Sequence, residues 1–396
     1  MDRGTTRRRV LRIGGIGCAV GAAGCMGSLS SSDGDGGGGG PLGGGGPNGW
    51  PRAQRDPAAT GRAGGSGPTS SVETDWTYDL SDGYVLTPPV VVDGTVYAGD
   101  SEGVAALDAE SGDEQWREEF DGSLRYLSVV DDRLYFESDG VRALDVADGS
   151  EVWRYDEVAE RGSVTVADGT AYLAEWNGGL VAIDTESGER DWSLPTEHGI
   201  PHPPAVADGT AYFVTRRVED AASHLVAVDV ESGEESARVE RSTATNHRPT
   251  VVDGTVYHQE GYETTAMSPS DGERTWTNDE GAPRPTSSFA HAGGRVYYGN
   301  ARSGSTRDQA VALDASSGEQ VWGSSLDGGV KGSPIVGDGS VYLGTTDGTV
   351  YGLDASSGET LWQHSVEGSV RASLALADGR LYVSTSEGGV HALAEA

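Results

Sequence analysis

From Val72 onward, apolar and polar residues alternate at a period of two, as in "SVYLGTTDGTVYGLD" (Ser340 to Asp354). That period predicts half-buried β-strands, not helices. The strands come in pairs around Asp-Gly, as in "VVVDGTVYAG" (90–99), "AVADGTAYFV" (205–214) and "LALADGRLYVS" (374–384). Asp-Gly predicts a tight hairpin, because glycine accepts positive φ and aspartate bonds its own backbone. A second phrase follows each pair: "ALDAESGDEQW" (106–116), "ALDVADGSEVW" (143–153), "AIDTESGERDW" (182–192), "ALDASSGEQVW" (312–322) and "GLDASSGETLW" (352–362). Here the aspartate caps a turn, the glycine permits it, and the tryptophan falls on a following strand. The small residue ten places earlier leaves room for the indole ring. The tryptophans therefore have a structural role, each burying a large ring that anchors one unit to the next.

Aligned on this phrase, Trp76, Trp116, Trp153, Trp192, Trp276, Trp322 and Trp362 fall in phase, with Ala237 where one more is due. The Asp-Gly phrase recurs eight times, two copies ("SVVDDRLYFE" and "FAHAGGRVYYG") being degenerate, and the units are spaced 37 to 46 residues apart. Four short strands per unit at a period near 40 predict an all-β, eight-bladed β-propeller over residues 72–396. The last unit stops at "VHALAEA" without a tryptophan, while "DWTYDL" (Asp75 to Leu80) precedes the first as a spare outer strand. This N-terminal strand is expected to complete the last blade, leaving no long unpaired edge.

The recurring phrase resembles the tryptophan-docking motif of the pyrroloquinoline-quinone (PQQ) repeat family of β-propellers, and it does so across residues 72–396. Eight blades is the number shared by that family's dehydrogenases and its bacterial outer-membrane assembly lipoprotein. For the dehydrogenases the resemblance implies a quinone on the ring axis, held by calcium, a stacking tryptophan and often a ring of adjacent cysteines. The folded body here has no cysteine, and apart from Trp176 its tryptophans all fall on docking positions. No G-x-S-x-G elbow, HExxH or Walker lysine is present. The expected function is therefore a non-catalytic binding or scaffold propeller without a cofactor. A PQQ- and calcium-dependent alcohol or sugar dehydrogenase is the alternative, and a sugar- or peptide-handling surface protein a third reading.

The N-terminus reads as an address. "TRRRVLR" (Thr6 to Arg12) resembles a twin-arginine export signal with Arg7 and Arg8 as the pair, and the mildly apolar Ile13 to Gly24 is too short to span a membrane. "AAGC" (Ala22 to Cys25) resembles a lipobox, with Cys25 the residue to be acylated. Residues 1–25 are thus a signal. Residues 26–71, rich in glycine, serine and proline, are expected to be a disordered tether. The predicted location is the extracellular face of the cytoplasmic membrane, held there by the lipid.

Charge narrows the partners. The chain carries 62 acidic residues against 28 basic, and Lys331 is its one lysine. So acidic a surface resembles that of proteins from salt-loving archaea and excludes nucleic acid, which needs a basic stripe. Strand order places the interblade crossings and the hairpins between the second and third strands on one face. There sit Arg125, Arg161, His202, His247, Arg248, Lys331 and Arg371, with Arg216, Arg217, Arg302 and Arg307 in two hairpin insertions. This basic collar around the channel mouth is the candidate site for an unknown protein or an anionic ligand. Carboxylates such as Asp100, Glu102, Glu137 and Asp347 share the face. His202 and His247 stand beside prolines and read as turn residues, so no metal site is assigned. Trp176, off the docking register, is either a stacking surface or a rim aromatic. A monomer is expected.

Overall fold

The computed structural model describes residues 49–80, 87–120, 124, 126–158, 162–216, 223–241, 247–261, 263–278, 285–301 and 308–396. Their strands form eight antiparallel sheets of four. In the first blade, strands A to D are Val90–Val92, Thr95–Gly99, Gly103–Asp108 and Glu114–Glu119. Six further blades repeat the order over 127–155, 162–195, 205–241, 250–278, 290–324 and 335–365. Each inner strand A touches the inner strands on either side in a closed circuit, so the sheets form a propeller. The eighth blade takes strands A to C from Ala375–Ala377, Arg380–Ser384 and Gly389–Glu395, and its outer strand from Val72–Asp79. Val72 pairs with Glu395 and Asp79 with Gly389, so the expected closure by the N-terminal strand is observed.

The Asp-Gly hairpins carry positive φ at both residues, 48° at Asp93 and 75° at Gly94, as a primed turn requires. The tryptophan phrase builds the seams between blades. Trp192 lies opposite Ala182, and in every blade the residue facing the docking position is alanine or, opposite Trp362, Gly352. The indole N–H of Trp192 crosses to the next blade and donates to the Val230 carbonyl at 3.0 Å. Its ring lies against Gly233, where a Cβ would come within 2.6 Å of the ring and φ is 71°. That glycine is needed on both counts. Trp116, Trp153, Trp276 and Trp322 make the same pair of contacts with their neighbours. Where Ala237 replaces the indole, Val239 fills the space against Gly272. The apolar core clusters accordingly lie between blades, as where Val90 and Tyr97 of the first meet Leu127 and Phe136 of the second.

Residues 49–71 overturn part of the tether expectation. They are not disordered but wind around the inside of the channel. Six inner strands each donate an amide to a carbonyl of this segment: Val91 to Trp50, Val129 to Pro51, Val206 to Pro57, Val251 to Ala58, His291 to Thr60 and Val336 to Gly61, at 2.7–3.0 Å. In the third blade the guanidinium of Arg52 donates to the Val166 carbonyl at 2.6 Å. The segment leaves past the eighth blade, where the Pro68 carbonyl accepts from Trp362 Nε1 at 2.9 Å. Pro68 thus replaces the turn that the eighth blade, broken between strands C and D, does not have. Inner strands otherwise face the channel with unpaired backbone groups, and these carbonyls satisfy them. Small residues fit the bore: at Gly61 a Cβ would lie 3.0 Å from the Ala290 Cβ. Composition alone predicts disorder because the surface that orders the segment belongs to the distant blades. The remaining tether residues, 26–48, lie outside the described ones, as does the signal.

Trp50 is fully buried at the start of this plug. Trp50→Ala is expected to lower the unfolding free energy by about 3–5 kcal/mol, read as a shift of the denaturant midpoint.

A buried histidine sets the pH response. His258, inside the fifth blade, has Nε2 2.9 Å from Met267 Sδ. Burial, helped by the charges of Arg241 and Arg274, holds its pKa well below the ordinary value. Burial also lowers those of His391 and His224. The unfolded chain takes up these protons near pH 6.5 and the folded chain does not, so stability falls as pH drops below that value. Between about pH 6.5 and 4.5 the unfolding free energy should decline, and His258→Gln should remove up to about 1.4 kcal/mol per pH unit of that slope.

Candidate functional site

On the crossing face the channel opens into a cavity of about 750 Å³. Its walls are the crossings that lead into strands A, and its floor is Ala53 and Gln54 of the plug. The floor is held in place: Gln54 Nε2 donates to the Phe289 carbonyl at 2.7 Å, and Gln54 and Arg55 both sit at positive φ. The cavity is therefore closed at the plug and open on the crossing face.

Five of the eleven expected collar residues come together here: His202, His247, Arg248, Lys331 and Arg371 all line the cavity. Arg125, Arg161 and Arg217 lie outside the described residues, as do Arg302, Arg307, Arg7, Arg8 and Cys25. Arg216 ends strand B of the fourth blade, its amide donating to the Gly199 carbonyl at 2.8 Å, and does not line the cavity. Trp176 is a partly exposed rim aromatic on a hairpin of the third blade.

The five have different roles. Arg248 is buried, and its Nη2 donates to the Pro57 and Pro204 carbonyls at 2.8 and 2.7 Å and to Thr165 Oγ1 at 3.2 Å. It clamps the plug to the third and fourth blades. Burial lowers its pKa to about 10, which leaves it charged at neutral pH. His202 and His247 occupy matching positions, three residues before strand A of the fourth and fifth blades, and their rings stack at 6.4 Å and 20°. His202 Nδ1 lies 3.4 Å from the Tyr126 hydroxyl. Lys331 and Arg371 also match, each four residues before strand A in the seventh and eighth blades. Their crossings interlock: the Ser333 amide donates to Ser373 Oγ at 2.9 Å.

Sequence reasoning missed the floor and part of the wall. Arg52 is buried beneath the cavity with its pKa lowered by burial to about 10, a second guanidinium near that of Arg248. Pro88, Leu124 and Tyr126 of the first two blades form an apolar side. The usable signal was Trp50, an isolated tryptophan with two arginines close behind it in a glycine-rich stretch. Of the carboxylates expected on this face, Asp100 lines the cavity but is buried. Its Oδ2 lies 3.6 Å from Arg117, and its Oδ1 accepts from the amides of Glu102 and Gly103.

Eight blades, seven of them docked by tryptophan, around an axial cavity define a PQQ-like repeat propeller. The family model described as outer membrane protein assembly factor BamB matches residues 69–155, 137–289 and 263–396, and the chain belongs to that family. No curated protein matches the sequence. Among solved structures, BamB from Moraxella catarrhalis is 18% identical with a TM-score of 0.63, over 82% of this chain and 98% of its own. A quinohemoprotein alcohol dehydrogenase from Comamonas testosteroni is 16% identical with a TM-score of 0.65, over 88% of this chain and 81% of its own. The computationally designed Ika8 protein is 12% identical with a TM-score of 0.69, over 81% of this chain and 99% of its own. At these identities the likeness is one of fold.

The described lining of the cavity does not fit a calcium-held quinone. Calcium takes six to eight oxygen ligands. Asp100 is the one carboxylate among the described lining residues, and it is already engaged. No described cluster of three or more His, Cys, Asp or Glu is placed to hold a metal ion. No tryptophan is among the described lining residues.

The clamp and the rim separate by mutation. Arg248→Met should cost about 3 kcal/mol of stability, since it strands buried acceptors of a charged donor. Lys331→Met, at an exposed position, should stay within about 0.5 kcal/mol by the same denaturation measurement.

Proposed function

We propose that this chain is a non-catalytic binding propeller, exported through the signal around Arg7 and Arg8. On this reading an acylated Cys25 holds it on the outer side of the cytoplasmic membrane, as the composition of the first 48 residues supports. Its binding site is the axial cavity. The observation that carries this reading is a blind pocket lined by Lys331, Arg371, His202 and His247 in a chain with 62 acidic residues and 28 basic. A cavity of this size suits a small molecule or a short side-chain cluster of a partner, and its polar groups are few and convergent. The similar structures are of both kinds, a BamB and an alcohol dehydrogenase, so fold alone decides nothing about catalysis. What favours binding is the donor set, which offers cations and imidazoles but no ligand cage for calcium.

The test is a titration of the full chain with PQQ and calcium in molar salt, with ethanol or glucose and a redox dye. No substrate-dependent dye reduction is expected. Turnover of the dye by a folded sample would replace this reading with a quinone-dependent dehydrogenase.

A further inference from the structure

We infer that the axial cavity takes a small organic acid, one carboxylate on an apolar body, with Lys331 and Arg371 at the carboxylate end. The inference rests on the binding reading above and names the ligand class for that site.

Four observations converge on it. The chain has a single lysine, and that lysine lines this cavity. Within 72–396 there are 20 basic residues against 58 acidic, so two cations on adjacent crossings run against the local composition. Those crossings are rigid: besides the bond from Ser333 to Ser373, a Cβ on Gly332 would lie 2.2 Å from the Ala372 carbonyl. Both side chains line the one cavity, so an anion there meets two positive charges.

Two guanidiniums lie under the floor. Arg52 and Arg248 are buried there, donating to carbonyl oxygens. The charge of Asp56 acts on both and that of Asp168 on Arg52, offsetting part of theirs. Asp100, the carboxylate of the wall, has Arg117 beside it.

The rest of the wall sets the body of the ligand. Pro88, Leu124 and Tyr126 present apolar and aromatic surface, and the stacked imidazoles of His202 and His247 offer a flat face. An ion without an apolar body leaves that side unused. The plug closes the floor, so a chain cannot thread through; a small molecule can be enclosed.

The lone lysine makes the test direct. The full chain in molar potassium chloride is acetylated with an N-hydroxysuccinimide ester, and the peptide containing Lys331 is followed by mass spectrometry. Benzoate, benzamide and inorganic phosphate serve as probes. Benzoate at about five times its dissociation constant should slow Lys331 acetylation roughly sixfold by mass action, with benzamide and phosphate showing little effect. Arg371→Gln should abolish the protection while Lys331 still reacts at its unprotected rate, and Arg216→Gln should leave it intact. Equal protection by benzamide overturns the anion requirement, and equal protection by phosphate overturns the organic body. No protection by any probe overturns the assignment itself. Dye reduction with PQQ, calcium and ethanol remains the separate mark that the binding reading has failed.

Discussion

A docked indole places its N–H on a backbone acceptor outside its own blade, in the next blade or, for Trp362, on Pro68 of the plug. That single demand fixes the geometry of the ring. Because Trp192 reaches the Val230 carbonyl and rests on Gly233, the fourth blade cannot tilt or slide relative to the third. Repeated around the circle, the same bond sets the angle between sheets and hence the width of the bore. The bore in turn fixes how far apart the crossing loops hold their side chains. The binding cavity is thus a consequence of contacts made at the outer strands, far from it.

The repeat was legible because each of its parts has a local cause. Asp-Gly means a primed turn, the Asp-x-x-Ser-Gly phrase means a capped one, and a tryptophan opposite alanine means a seam. Even the missing indole at Ala237 could be read, though not its substitute: that Val239 fills the gap follows from the strand's twist and not from spacing. Charge on the crossing face was also legible, since strand order assigns loops to faces. What escaped was the division of labour within the collar. Arg248 and Lys331 look alike in sequence, but one lies under a plug whose course depends on contacts up to 294 residues away. Glycine, alanine and proline read as disorder in isolation. Inside a ring that offers unpaired amides they become the small residues a narrow bore can accept.

The cavity gains its character from what surrounds it. A cation in a strongly acidic protein is usually neutralised by its neighbours. Here the one carboxylate among the described lining residues, Asp100, is held beside Arg117. Position on the axis also matters, because the crossings into seven of the eight blades contribute described residues to the same small space. Differences between otherwise repeated units then add up to a site without two faces alike: imidazoles from two blades, cations from two others, apolar side chains from another pair.

The plug and the closing strand share a further property. Residues 49–79 occur early in the chain, yet their partners are spread over every blade, up to the outer pairing of Val72 with Glu395. An early segment of the chain is therefore one whose contacts are completed late, because neither the bore nor the seam of the eighth blade can be filled before the strands Arg380–Ser384 and Gly389–Glu395 have been made. Contacts of such sequence separation make for slow folding. Loss of either the early segment or those late strands removes the same closure.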